Sequence, residues 1–255
     1  MSLFEKINSA ISNNLQKADV QDHSSHYLLS SVLNRNSVII DLGANKGEFY
    51  SLMSKKYGCY CFAVEASEAL FNNLPPINKV KSYHFAIGKN NGSTKFYISK
   101  NAEANSLQSA ISETWGVTAS IMVEEKTLET FLADENIQLP VDVLKIDVEG
   151  AELDVLNNLP AAILSKIAQI PIEFHDFILN TQQYKTGMYE VINKLRNNHF
   201  LVLKLSANDW RETLCINTNL VQLNNLKKIR LTIIHPFLQN LKLLHINIGR
   251  LLKND

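Results

Sequence analysis

Short apolar runs alternate along this chain with stretches of helical periodicity. Leu3, Phe4, Ile7, Ile11 and Leu15 fall on one face of an opening helix. A second helix is expected over residues 26–33, leading into the β-branched run Val38-Ile39-Ile40 that ends on Asp41. The chain then turns through Gly43 and Gly47 into a helix over residues 48–57. A strand over 60–65 follows, then a helix over 67–74 stopped by Pro75-Pro76, and a strand over 80–85. Residues 87–98 carry the turn Asn90-Asn91-Gly92 and read as a hairpin. Thr127 is placed to cap a short helix through Phe131 and Leu132. Two further strands end near Asp147 and His175, with a helix starting at Ala151. Val191, Ile192 and Leu195 mark a later helix before strands over 200–205 and 213–218, the latter two an antiparallel pair. The alternation predicts an α/β chain with an open, mostly parallel sheet and helices on both faces.

Four of the apolar runs end on polar groups. Asp41 closes the first, Glu65 the second, Asp147 the third, and Glu173 with His175 the fourth. A spacing of two puts Glu173 and His175 on one strand face. In open α/β sheets ligands sit outside the carboxyl ends of the strands, so all five would surround one crevice. A strand that turns through glycine into a helix cradles a nucleotide-like cofactor, with Gly43 and Gly47 allowing close approach or positive φ. Glu65 lies at the ribose position of such a fold. The turn reads Asp41-x-Gly43-x-x-x-Gly47 rather than Gly-x-Gly-x-x-Gly. An acid where a pyrophosphate would sit favours S-adenosylmethionine, with its cationic amino-acid end, over NAD.

The words DLGANKG, FAVEAS, LKIDVEGAEL and PIEFHDF, in this order, resemble the FkbM family of S-adenosylmethionine-dependent methyltransferases over residues 38–177. That resemblance implies a Rossmann-like class I methyltransferase with seven strands, the last antiparallel, and O-methylation of hydroxyls on sugars or natural products. It implies a cofactor set of Asp41, Gly43, Ala44, Asn45, Gly47, Glu65, Ala86 and Asp147. Lys46 and Ala66 depart from the usual family residues but replace none of its acids or glycines.

Methyl transfer to a hydroxyl needs a proton acceptor, and His175 has the side chain whose ordinary pKa, about 6.5, suits that task. Asp147 would orient that base, bind the methionine amine or itself take the proton, with Glu173 completing the catalytic group. Asp147, Glu149, Glu173 and His175 are also residue types that permit a divalent cation, although their spacing does not require one. The polar residues 99–117 form an insertion expected either to fold over an acceptor through Asn105, Ser106 and Trp115 or to be a surface loop. His23 and His26 read as an exposed turn and a helix face rather than a ligand pair.

Composition fits one globular domain: 255 residues, 45% hydrophobic and 20% charged, with 25 basic and 25 acidic residues. Zero net charge points to no nucleic-acid partner. Three cysteines without a ligand pattern, and no apolar leader, suggest buried thiols in the cytoplasm. The expected organisation is a helical extension over 1–35, the cofactor domain over 36–220 and a tail over 221–255. That tail has no acid between Glu212 and Asp255 but carries Lys227, Lys228, Arg230, Lys242, Arg250 and Lys253. Ile234, Phe237, Leu238, Leu241, Leu244, Ile248, Leu251 and Leu252 give it an amphipathic helix for packing, homodimer formation or peripheral membrane contact. The alternatives to a methyltransferase are an NAD-type oxidoreductase and a non-catalytic cofactor-binding module recruited through this tail.

Overall fold

The computed structural model describes residues 1–101 and 105–251. Leu252 of the tail's apolar stripe, its cation Lys253, and residues 102–104 of the insertion lie outside them. Helix α1 (Leu3–Lys17) starts at a capping box in which Ser2 and Glu5 satisfy each other's backbone N–H groups. The chain then forms an antiparallel hairpin, β1 (Val20–His23) and β2 (His26–Leu29), where a second helix was expected. Ser24 and Ser25 make its two-residue turn with φ of 54° and 67°. Such a turn ordinarily draws Asn-Gly or Asp-Gly, and two serines carry no comparable signal.

The central sheet is built from β3 (Val38–Leu42), β4 (Tyr60–Val64), β5 (Val80–Tyr83), β9 (Val141–Ile146), β10 (Ile167–Ile172), β11 (Phe200–Lys204) and β12 (Thr213–Asn217). Their order is β11-β12-β10-β9-β3-β4-β5. Only β12 runs against the others: it is antiparallel to both β10 and β11, and the remaining pairs are parallel. This is the seven-stranded architecture expected from the sequence. Helices α2 (Glu48–Tyr57), α5 (Leu128–Asp134), α6 (Glu152–Asn158) and α8 (Gln182–Asn197) cover its faces. Strand period two sorts the core: Ile39 packs with Phe49, Tyr50 and Met53, while Ile40 and Leu42 pack with Phe131, Leu156 and Val191. Strand order reverses at β3, whose neighbours are β4 on one side and β9 on the other. A ligand crevice is expected at that switch point.

A second, three-stranded sheet corrects the local reading of residues 87–98. β6 (Ala86–Ile87) and β7 (Gly92–Ser99) do not pair with each other, but flank β8 (Val117–Lys126), parallel and antiparallel respectively. The insertion contains helix α4 (Ser109–Thr114), and the helix expected over 67–74 shrinks to α3 (Glu68–Phe71). At the far edge, α1 lies against the last helix, α10 (His235–Leu251), which is reached through α9 (Asn225–Ile229) and a five-residue π-helical turn. The side chain of Asn14 donates to the carbonyl of Arg230 at 3.0 Å. Ile11, Leu15, Leu29, Leu203, Leu214 and Leu231 share one apolar cluster, so both extensions pack on the sheet. No described helix is long and apolar enough to cross a membrane.

Candidate active site

Asp41 and Lys145 are register partners on β3 and β9, and both side chains turn to the face covered by α2. Asp41 is fully buried and Lys145 is 3% exposed; the ammonium stands 3.1 Å from Asp41 and 3.6 Å from Asp147 and also donates to the carbonyl of Gly43. Burial works against the Lys145 charge, but Asp41, Asp147 and Glu65 outweigh it and hold its pKa above the ordinary lysine range. Burial pushes the Asp41 carboxyl up, with Lys145 opposing. Asp41 therefore lies beneath the crevice and does not line it. Its visible effect is on Lys145, which ties together the tips of the two central strands.

Gly43 has φ of 77°, and a Cβ there would lie 2.9 Å from the carbonyl carbon of Asp147 and closer still to its oxygen. Gly43→Ala should therefore push β3 and β9 apart at their tips. A left-handed non-glycine residue alone costs about 1–3 kcal/mol. Thermal unfolding should show a fall of several degrees, at about 2–4 °C per kcal/mol. An unchanged midpoint would contradict the close approach.

Beyond Gly43 a cleft opens at the tips of the central strands. Gly43, Asn45, Glu65, Ala86 and Asp147 line it, together with Val148 and Glu149. Its walls are apolar at Leu70, Phe85, Ile87, Phe96 and Leu107. Ala44 faces an adjoining cavity, and Gly47, with φ of 77°, begins α2 without lining the cleft. Glu65 is held by two backbone N–H donors, Asn45 and Ser67, each at 2.8 Å. Burial raises its pKa, and those donors oppose the rise. Asn105 lines the same cleft, and the Ser106 hydroxyl donates to the carbonyl of Glu149, so the insertion reaches the site through Asn105, Ser106 and Leu107. Trp115 is 48% exposed and does not line the cleft.

The hairpin adds a residue that the sequence reading placed elsewhere. His26 is buried, with Nε2 3.7 Å from Asp147. Burial, then Lys145, push its pKa down to about 4, so the ring is neutral near pH 7. His23 is also buried and bonds to the carbonyl of Gln21 and the hydroxyl of Tyr57, each at 3.0 Å. Neither histidine is on an exposed turn or a helix face.

At the tips of β9 and β10 the carboxylates gather. His175 is 2% exposed; its Nε2 is 3.0 Å from Glu149 and its Nδ1 2.9 Å from Glu152. Burial disfavours the imidazolium, but the two carboxylates prevail and hold its pKa well above the ordinary value. While the ring keeps both protons it has no lone pair to offer as a general base. Glu152 was not singled out from the sequence. It is fully buried and also accepts from Gly150 N at 2.8 Å and the Tyr184 hydroxyl at 3.2 Å. An acid in the first turn of a helix looks ordinary until its burial is known.

Asp147, Glu149 and His175 each bring one potential ligand atom within 4.8 Å of the others; Glu173 is not in that group. Of the His175 ring nitrogens, Nδ1 faces Glu152, outside that group, and Nε2 faces Glu149, within it. Burial raises the Asp147 carboxyl, but Lys145, His26 and His175 overcome that and hold it below the usual range. Glu173 follows β10, donates its N–H to the carbonyl of Ile146 at 3.0 Å, and is only partly exposed. Burial, then the charge of Asp147, push its pKa up to about 7.

Residues 41–212 match the family model described as Methyltransferase FkbM domain. "Methyltransferase 1" of Beauveria bassiana (strain ARSEF 2860) is 28% identical over 163 residues, covering 55% of this chain. The aligned region spans 66% of that relative's length. Among solved structures, the chain is similar to a fibrillarin pre-rRNA processing protein of Methanococcus jannaschii, with 13% identity, a TM-score of 0.42, and coverage of 80% and 72% of the two chains. A precorrin-6y C5,15-methyltransferase of Geobacter metallireducens gives 9% identity and a TM-score of 0.37 over 78% and 72%.

Proposed function

Because the chain belongs to the FkbM methyltransferase family, we propose that it transfers the methyl group of S-adenosylmethionine to a hydroxyl of a sugar, glycan or other polyhydroxylated metabolite. The observation that carries this reading is the gathering of carboxylates at the strand tips, with Asp147 and Glu149 lining the cofactor cleft and Glu173, which does not line it, beside them with its pKa pushed up to about 7. A hydroxyl is a poor nucleophile until its proton begins to leave, and an acceptor of that pKa is matched to a neutral working pH.

The cleft suits this cofactor. Asp147 Oδ1 and Asn45 Oδ1 are buried with no hydrogen-bond partner among the described residues, as acceptors for an ammonium group would be. Glu65 retains lone pairs for ribose hydroxyls, and Phe85, Ile87 and Leu107 offer apolar walls to a purine. When bound, S-adenosylmethionine supplies a methyl already activated on a sulfonium. The chain's own task is to aim the acceptor oxygen and remove its proton. Orientation of that kind is worth roughly 7–11 kcal/mol in favourable cases. Glu173 takes the proton, while His175, clamped by Glu149 and Glu152, fixes the carboxylates around it. Arg211, paired with Asp209 at 2.9 Å, lines a second, polar cleft with Asn8, Gln16, Gln21 and Asn208, a lining suited to hydroxyl-rich acceptors. The family match does not favour the nicotinamide alternative, whose glycine fingerprint the chain lacks.

The test is calorimetric titration with S-adenosylmethionine and its demethylated product, followed by transfer of labelled methyl to polyol and glycan acceptors. Glu65→Ala should weaken cofactor binding roughly 10- to 100-fold, as expected for a hydrogen bond to a charged group. Well-folded protein that binds neither compound would overturn the proposal. Binding without transfer to any acceptor would instead favour the non-catalytic module.

A further inference from the structure

The tail carries an unpartnered apolar ridge. Ile229, Ile233, Phe237, Leu241, Leu244 and Ile248 are between 37% and 63% exposed. They recur every three or four residues through α9, the π-helical turn and α10, and so form one stripe of roughly 30 Å at 1.5 Å per residue. The opposite face of the same helices holds Leu231, His235 and Gln239 buried against the domain. Helix α1 extends the stripe: Leu3 is 61% and Phe4 37% exposed, and Phe4 stacks on His245 at 5.8 Å between ring centroids. Isolated exposed apolar residues need no explanation, but a continuous ridge of this length does.

Charge identifies what covers it. From Thr213 to Leu251 the chain has no Asp or Glu, while Lys227, Lys228, Arg230, Lys242 and Arg250 are all cations. Lys227 is paired with Asp19 at 3.3 Å, and Glu5 on α1 is committed to the helix cap. Lys228 and Arg250 are exposed, and Lys242 lies over the Phe4 ring. A second copy of the chain would have to set this mostly basic surface against itself, since a two-fold interface pairs a patch with the same patch. Like charges facing one another oppose that pairing. A surface of anionic lipid headgroups satisfies both features, taking the apolar ridge into its boundary layer and the cations onto its charge.

We propose that α9 and α10, with the first turn of α1, dock this protein on an anionic lipid surface, with α10 lying in the plane of the interface. The proposal does not rest on the methyltransferase reading. The test is co-sedimentation of the full chain with vesicles of phosphatidylcholine alone or mixed with phosphatidylglycerol, at low and high salt. The bound fraction should be at least about tenfold greater on the mixed vesicles and fall with salt. Ile233→Ser with Phe237→Ser should abolish binding, and Lys228→Glu with Arg250→Glu should weaken it, with circular dichroism showing each variant folded. Folded protein that ignores both vesicles would overturn the proposal, as would equal binding to both with no response to the charge variants. A dimer in light scattering that the serine variant turns monomeric, without vesicle binding, would assign the ridge to a second copy and overturn it too.

Discussion

Asp41→Ala is expected to unfold the protein more readily without directly removing a cofactor contact. The substitution leaves the Lys145 ammonium, 3% exposed, without its partner at 3.1 Å. Removing one member of a buried ion pair costs about 3–5 kcal/mol, because the remaining charge stays desolvated. Asp147, 3.6 Å from the same ammonium, limits the loss but is drawn away from the cleft in doing so. Thermal midpoints should fall by roughly 6–20 °C at about 2–4 °C per kcal/mol. The double variant Asp41→Asn with Lys145→Met removes both charges and should recover much of that stability, since replacing a whole buried pair is often close to neutral. If Asp41→Ala matched the parent's midpoint while losing cofactor, the placement of Asp41 beneath the crevice would be wrong.

The second large effect concerns turnover. Glu173→Gln should lower kcat by roughly 10²–10⁴, the usual contribution of a positioned proton acceptor, with cofactor affinity little changed. The parent's rate should rise with pH and level off above about 7, because Glu173 must be ionised to accept a proton and its pKa lies there. The glutamine variant should lose that limb. His175→Gln gives a separate readout. The imidazolium lowers the Glu173 pKa by its charge, so its removal should move the rising limb to higher pH. A general-base histidine would behave differently, its removal mimicking Glu173→Gln. Parent-like turnover by the Glu173 variant would dismiss it as the base.

Much of this was legible in the order of residues. The runs ending on Asp41, Glu65 and Asp147 announced their strands, and the polar residue at each end marked the side of the sheet where the cleft opens. Register was not legible. Lys145 looks like a lysine inside a strand until Asp41 is found directly across from it on β3. Nor could spacing show that His175 lies between two carboxylates, one of them at the start of α6, which its ordinary pKa does not reflect. The β1–β2 hairpin was hidden by a turn of two serines in left-handed backbone, and with it the approach of His26 to Asp147. The three-stranded sheet was missed because β7 pairs with β8 across an intervening helix, rather than with the run just before it. In each case the missing information was a long-range pairing.

The packing of α1 on the tail has a consequence for how the protein is made. Asn14 and Arg230, joined by a hydrogen bond, are 216 residues apart. At about 5–20 residues per second, the ribosome takes roughly 10–40 s to deliver the second after the first. Throughout that interval Ile11 and Leu15 have no Leu231 to pack on, so this apolar face waits for a partner made long after it.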